Sequence, residues 1–129
     1  MANETSHRVL IVEDNDFVRM QIARFLTEAG HECVEASNAD QGVEQMTAAI
    51  EAVIVDVRME PADGFDFISA IRARGFQQPV ILVTGDQNPD ILEKSSRFKV
   101  ATVLMKPVQK DRLLAMVARA IVHSKHNTA

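Results

Sequence analysis

The protein has 129 residues, 47% of them apolar and 25% charged, with a net charge of −4. That length suits one domain with a core large enough to need neither disulfide nor metal support, and the acidic balance offers no basic surface for nonspecific nucleic-acid binding. One cysteine, Cys33, excludes an internal disulfide, and apolar runs of about four residues fall far short of a bilayer span.

Strand-like and helix-like segments alternate along the chain. Met1 to His7 is polar, without the hydrophobic stretch of a signal peptide. Val9 to Val12 is a short apolar run of the kind buried on both faces of a parallel sheet. Asn15 or Asp16 then caps a helix with Val18, Ile22, Phe25, Leu26 and Ala29 on one face, and Gly30 stands where a helix-ending glycine belongs. His31 to Ala36 is a less apolar strand, expected at a sheet edge. Ser37 with Asp40 resembles a capping box opening a helix through Val43, Met46, Ala49 and Ile50.

Val53 to Val55 leads to Asp56, followed by a loop from Arg58 to Gly64 that contains Pro61. Phe65, Ile68 and Ile71 stripe a third helix that stops at Gly75, and Pro79 precedes the strand Val80 to Val83. Asn88-Pro89 opens a fourth helix, anchored only by Ile91 and Leu92 and therefore expected to be the loosest. Ala101 to Met105 is the fifth strand. Leu113, Leu114, Val117 and Ile121 stripe a last helix that frays from His123. Five such repeats predict an α/β fold with right-handed crossovers and helices on both faces of the sheet. The expected layout is a flexible lead-in over 1–7, one domain over 8–122 and a flexible tail over 123–129.

Four of the strands end in polar residues: Glu13-Asp14, Asp56, Thr84 and Lys106. Open parallel sheets place ligands outside the carboxyl ends of their strands, so these groups converge. Two carboxylates at about 4 Å repel by roughly 4 kcal/mol at an effective dielectric near 20. A divalent cation relieves that repulsion, and carboxylate, carbonyl and water oxygens suit Mg²⁺. Acids, a hydroxyl and an ammonium together are the parts phosphoryl transfer needs, with a carboxylate available as nucleophile.

On these residues the chain resembles a response-regulator receiver domain of two-component signalling, similar to the stand-alone chemotaxis-type regulators. The resemblance covers roughly Arg8 to Ile121 and rests on Glu13-Asp14, Asp56, Thr84 and Lys106-Pro107. It implies a flavodoxin-like doubly wound (βα)5 fold with strand order 2-1-3-4-5. It further implies that Asp56 accepts a phosphoryl group from a sensor histidine kinase or phosphotransfer protein. Asp14 and Asp56 would ligate Mg²⁺ (or Mn²⁺), with Glu13 acting through water and the Arg58 backbone carbonyl as a further ligand. Lys106 would pair with the phosphoryl oxygens, Thr84 would hydrogen-bond them, and the peptide before Pro107 would be cis. The product would be a changed affinity for a downstream effector, in a cytoplasmic phosphoprotein that is a monomer or weak homodimer. Neither direct nucleic-acid contact, membrane insertion nor a separate enzymatic turnover is expected.

The chain departs from that family pattern at two places. Val103 stands where the family usually has an aromatic partner for the switch hydroxyl, so a relay by packing around Ile91 and Leu92 is expected instead. Pro61 comes one place later than usual, and Arg58 and Asp86 flank the site, where a pair between them would shield an acyl phosphate from water. Two other functions use similar parts. A haloacid-dehalogenase-type phosphatase would need a second acid where Arg58 stands, and a phosphorylation-independent pseudo-receiver would have no need of the full set of acids.

Overall fold

The computed structural model describes residues 6–126. Five strands form one parallel sheet: β1 (Arg8–Val12), β2 (Glu32–Ala36), β3 (Ala52–Asp56), β4 (Val80–Thr84) and β5 (Thr102–Met105). Their order is β2-β1-β3-β4-β5, as the resemblance implied. The helices are α1 (Asp16–Glu28), α2 (Ala39–Gln45), α3 (Gly64–Ala73), α4 (Pro89–Arg97) and α5 (Lys110–His126). Parallel strands need crossovers, and α1 to α4 supply the four, while α5 follows the last strand.

Alternation along the strands sorts the core into two layers. Val9, Ile11, Ala52, Ile54, Ile81, Val83 and Leu104 pack with Ile22 and Leu26 of α1 and Leu113, Val117 and Ile121 of α5. Leu10, Val12, Val53, Val55, Val80 and Leu82 face the other way, toward Ile68 and Ile71 of α3 and Ile91 of α4. Each fully buried Val, Leu or Ile contributes roughly 1.5–3 kcal/mol relative to exposure. β3 and β4 are buried along their whole length, whereas β2 lies at an edge and is mostly half-buried or exposed.

Several local expectations are corrected. Asn38, not Ser37, caps α2: its Oδ1 accepts the Gln41 N–H at 2.8 Å, while Gln41 Oε1 accepts from the Ser37 backbone N–H and Oγ–H, both at 2.8 Å. Asparagine is among the strongest N-caps, and Gln41 at the third helical position reaches back past it to Ser37, the residue before the cap. α2 also stops at Gln45, because Met46 turns to an extended ψ of 124° and the Thr47 hydroxyl accepts the Ala49 N–H. Met46 and Ile50 still reach the core. Leu92 is 64% exposed and does not anchor α4; Ile91, Ser95 and Phe98 form its inward stripe.

At the start of the described residues, Ser6 Oγ–H donates to the Gly30 carbonyl at 2.7 Å, and the His7 backbone N–H donates to His31 Nδ1 at 3.0 Å. At the other end α5 continues through His126, past the expected onset of fraying at His123. The rest of the expected lead-in and tail, 1–5 and 127–129, lies outside the described residues.

Three helices end in the same way. At the ends of α1, α3 and α4, crossed 6→1 and 5→2 hydrogen bonds close a Schellman turn: His31 to Leu26 and Gly30 to Thr27, Phe76 to Ile71 and Gly75 to Arg72, Val100 to Ser95 and Lys99 to Ser96. The pivotal residue must be left-handed. Gly30 and Gly75 adopt φ of 93° and 91°, but in α4 the residue is Lys99, at φ 56°. For an L-residue with a Cβ this conformation costs roughly 1–2 kcal/mol.

Candidate functional site

Glu13, Asp14, Asp56, Thr84 and Lys106 all lie at or just past the carboxyl ends of β1, β3, β4 and β5. The β3–β4 register pairs Asp56 with Val83, and Thr84 pairs with Met105 next to Lys106. The loops are laced to the sheet. Val57 N–H donates to the Val83 carbonyl at 3.1 Å and Lys106 N–H to the Thr84 carbonyl at 2.9 Å.

One carboxylate oxygen from each of Glu13, Asp14 and Asp56 lies within 4.8 Å of the others. Glu13 and Asp56 are buried, 1% and 4% exposed, while Asp14 stands at the exposed lip. Lys106 Nζ sits 3.0 Å from Glu13 Oε1 and 3.3 Å from Asp56 Oδ2. Burial alone would lower the Lys106 ammonium. Its contact with Glu13 and the charges of Asp56 and Glu13 outweigh that and hold its pKa above the usual lysine value. Asp14 is also held above the ordinary carboxylate range, by partial desolvation first and then by the neighbouring Glu13.

The donor set fits a divalent cation. Glu13 Oε1 is a buried oxygen that accepts no aligned hydrogen bond; Lys106 touches it only as an ion pair. A single ammonium leaves three adjacent carboxylates under-neutralised, and all three are hard oxygen donors of the type Mg²⁺ takes.

Neighbouring groups hold this cluster in place. Asn15 N–H donates to Glu13 Oε2 at 3.1 Å, and Arg19 Nη1 donates to the Glu13 carbonyl at 2.9 Å while its other nitrogens pair with Asp16 and Glu35. Arg58 N–H donates to Asp56 Oδ1 at 3.3 Å. The Thr84 hydroxyl is fully buried and accepts the Asp86 N–H at 3.0 Å. The Arg58 guanidinium pairs with the Asp86 carboxylate across the two loops, as the sequence suggested. Lys106-Pro107 is cis, also as expected, and Glu60-Pro61 is a second cis bond that the sequence reading missed.

Two positioning residues escaped the sequence reading. Arg19 stands one helical turn after Asp16, a spacing that signals an ion pair but not its second role at the Glu13 carbonyl. In the sequence Gly64 reads only as the end of the loop that starts at Arg58. In the structure it approaches the phosphoacceptor candidate so closely that a Cβ there would lie 2.5 Å from the Asp56 carbonyl oxygen. A groove of about 670 Å³, lined in part by Asp14, Arg58, Met59, Asn88 and Lys94, opens beside the carboxylates. Val103 is half-buried against the α3–α4 layer, where the ring of Phe98 packs on Phe65 with centroids 5.1 Å apart.

The family model for the response regulator receiver domain matches residues 9–118. The chain belongs to the response regulator receiver domain family. Among its relatives, the transcriptional regulatory protein PdtaR of Mycobacterium tuberculosis is 32% identical, over 95% of this chain and 60% of its own. The sensory/regulatory protein RpfC of Xanthomonas campestris is 30% identical, over 96% of this chain and 18% of its own. The receiver thus spans 18–60% of the length of these curated relatives. Solved folds agree: the chemotaxis protein CheY4 of Vibrio cholerae superposes with a TM-score of 0.83 at 24% identity, covering 89% of this receiver and 98% of that chain. NtrX of Brucella abortus gives 0.86 at 26% identity, covering 94% of this receiver and 28% of that chain. The receiver is a module of two-component, phosphorylation-dependent signalling, and no helix among its described residues is long and apolar enough to cross a membrane.

Proposed function

We propose that this receiver accepts a phosphoryl group on Asp56 from a sensor histidine kinase or phosphotransfer protein and thereby changes its affinity for a downstream effector protein. The observation that carries this reading is the buried Asp56 carboxylate, 3.3 Å from the Lys106 ammonium and clustered with Glu13 and Asp14 at the strand ends. One Asp56 oxygen attacks the phosphorus of a phosphohistidine, the P–N bond breaks, and the departing imidazole takes up a proton. Asp56 becomes an acyl phosphate.

Lys106 neutralises the phosphoryl oxygens, and the Thr84 hydroxyl, released from the Asp86 N–H, donates a hydrogen bond to them. Asp14 and Asp56 would hold Mg²⁺ (or Mn²⁺) directly, with Glu13 helping through water and the Arg58 carbonyl as a further ligand. When bound, the cation shares the charge that builds on the transferred group. With Val103 in place of an aromatic, movement of the β4–α4 loop passes through Ile91, the one large α4 side chain in the core. The Arg58–Asp86 pair shields the acyl phosphate from water. The setting is cytoplasmic, and the protein acts as a monomer or weak homodimer, by binding and not by turnover.

Incubation with acetyl phosphate and Mg²⁺ followed by intact-mass measurement tests the chemistry. One added phosphoryl group on the wild type and none on Asp56→Asn is the expected result. Labelling that persists in Asp56→Asn overturns the assignment, and sustained hydrolysis of a phosphomonoester would point to a phosphatase instead.

A further inference from the structure

We propose that the cavity at the opposite end of the sheet from Asp56 binds a phosphate-bearing small molecule of about nucleotide size. It has a volume of about 880 Å³ and lies between the ends of α3 and α4, the start of β5 and the last turns of α5. That volume is within the roughly 300–1,000 Å³ typical of small-molecule sites.

Its charge is one-sided. Arg72, Arg97, Lys99 and His123 line it, and none of the lining residues is acidic, in a chain whose net charge is −4. Arg72 is held in place: its Nη1 donates to the Phe76 carbonyl at 2.9 Å and the Gln78 carbonyl at 2.8 Å. Among the described residues its Nε and Nη2 donors have no such partner, and a guanidinium so anchored presents a fixed fork to an anion. Pro79, Phe98 and Val100 add an apolar side to the same cavity, which suits a ligand with an uncharged portion.

Lys99 is the second observation. It occupies the left-handed pivot of the α4 Schellman turn, where the equivalent positions after α1 and α3 are Gly30 and Gly75. Glycine there would be unstrained. Complementing the helix dipole does not explain a lysine, because Lys94 and Arg97 already place cations in the last turn of α4. The chain therefore places a lysine, in a costly backbone conformation, at the rim of a cavity that carries arginines and no acidic residue. A bound phosphate gives that charge a use its own helix does not.

The test is a backbone-amide NMR titration of the full chain without Mg²⁺, using pyrophosphate, ATP and adenosine as probes. Pyrophosphate and ATP should move the amides of Arg72, Arg97, Lys99 and Ala101 and leave those of Glu13 and Asp56 in place, with adenosine binding at least about tenfold more weakly than ATP. Lys99→Gly should raise Tm by roughly 2–6 °C while weakening ATP about tenfold; Lys99→Arg should keep the binding. Neither variant should alter labelling by acetyl phosphate. The proposal is overturned if millimolar ATP and pyrophosphate leave these amides unmoved, if Lys99→Gly binds ATP as tightly as wild type, or if an acidic peptide moves them while both phosphates do not.

Discussion

The Arg58 guanidinium and the Asp86 carboxylate pair across the loops that follow β3 and β4, 28 residues apart in sequence. Their backbones continue the connection: Arg58 N–H reaches Asp56 at 3.3 Å, and Asp86 N–H reaches the Thr84 hydroxyl at 3.0 Å. The pair therefore bridges the Asp56 carboxylate and the Thr84 hydroxyl over the mouth of the site. Arg58 is 70% exposed, so the pair contributes at most about 1 kcal/mol to stability. Arg58→Ala should leave Tm nearly unchanged but shorten the lifetime of the phosphorylated form several-fold, read as decay of the phosphoryl mass. Asp86→Ala should do the same, and the double variant should be no faster than either single one. An unchanged lifetime in Arg58→Ala would remove the shielding role.

The acid cluster makes a separate prediction about metal. Carboxylates 4.8 Å apart repel by roughly 3–4 kcal/mol at an effective dielectric near 20, and by less here because Asp14 is exposed and Lys106 is close. Asp14→Asn should therefore raise Tm in EDTA. Wild type should gain about 1.4 kcal/mol from Mg²⁺ at ten times its Kd, and Asp14→Asn should gain almost nothing. Thermal unfolding with and without Mg²⁺ reads both effects; a wild-type response in Asp14→Asn would show that Asp14 is no ligand.

The fold and the convergence of acids, hydroxyl and lysine were legible because both depend on strand-scale patterns. Buried parallel strands are continuous apolar runs, and the residues just past them must meet at one sheet edge. What stayed hidden depends on contacts between distant segments or on competing local bonds. Whether Leu92 or Ser95 faces the core follows from the rotation of α4 on the sheet, and α2 ended early because Thr47 bonds its own turn. Gly64 reads as the end of a loop until the Asp56 backbone is seen against it.

That close approach can be tested directly. A Cβ on Gly64 would sit 2.5 Å from the Asp56 carbonyl and 3.2 Å from the Val57 Cα, both backbone atoms that move only if the end of β3 moves. Gly64→Ala should cost about 1–3 kcal/mol by overpacking and reduce labelling by acetyl phosphate well beyond what the loss of folded protein explains. Near-normal labelling in a folded Gly64→Ala would show that the acceptor tolerates a displaced loop.

Relay through α4 makes a further prediction. Ile91 is 8% exposed and Leu92 64%, so only the former joins the packed layer beneath the β4–α4 loop. Amide exchange with and without a beryllofluoride mimic should change across residues 85–105, and Ile91→Ala should blunt that change while Leu92→Ala leaves it intact. No change over 85–105 would reject a relay through this helix.

At the other end of the sheet, Glu51 should give the protein a defined acid limb. Burial raises its carboxyl, but the Arg8 N–H at 3.0 Å and His7 at 3.1 Å more than offset this, so its pKa in the fold is below the ordinary 4.5. The unfolded chain then binds more protons than the folded one between those two values. Stability from Glu51 is complete above pH 4.5 and is lost as pH falls through the lowered value. Glu51→Gln should therefore lower Tm at neutral pH and converge on wild type once pH has fallen below the lowered value, where both side chains are uncharged. His31, whose Nδ1 accepts the His7 N–H and whose pKa is lowered by burial and then by His7, acts earlier on the same scale: its contribution fades as pH drops below 6.5. A chemical-denaturation series against pH should show two declines, with Glu51→Gln erasing only the more acidic one; a single decline unaffected by that substitution would place the acid sensitivity elsewhere.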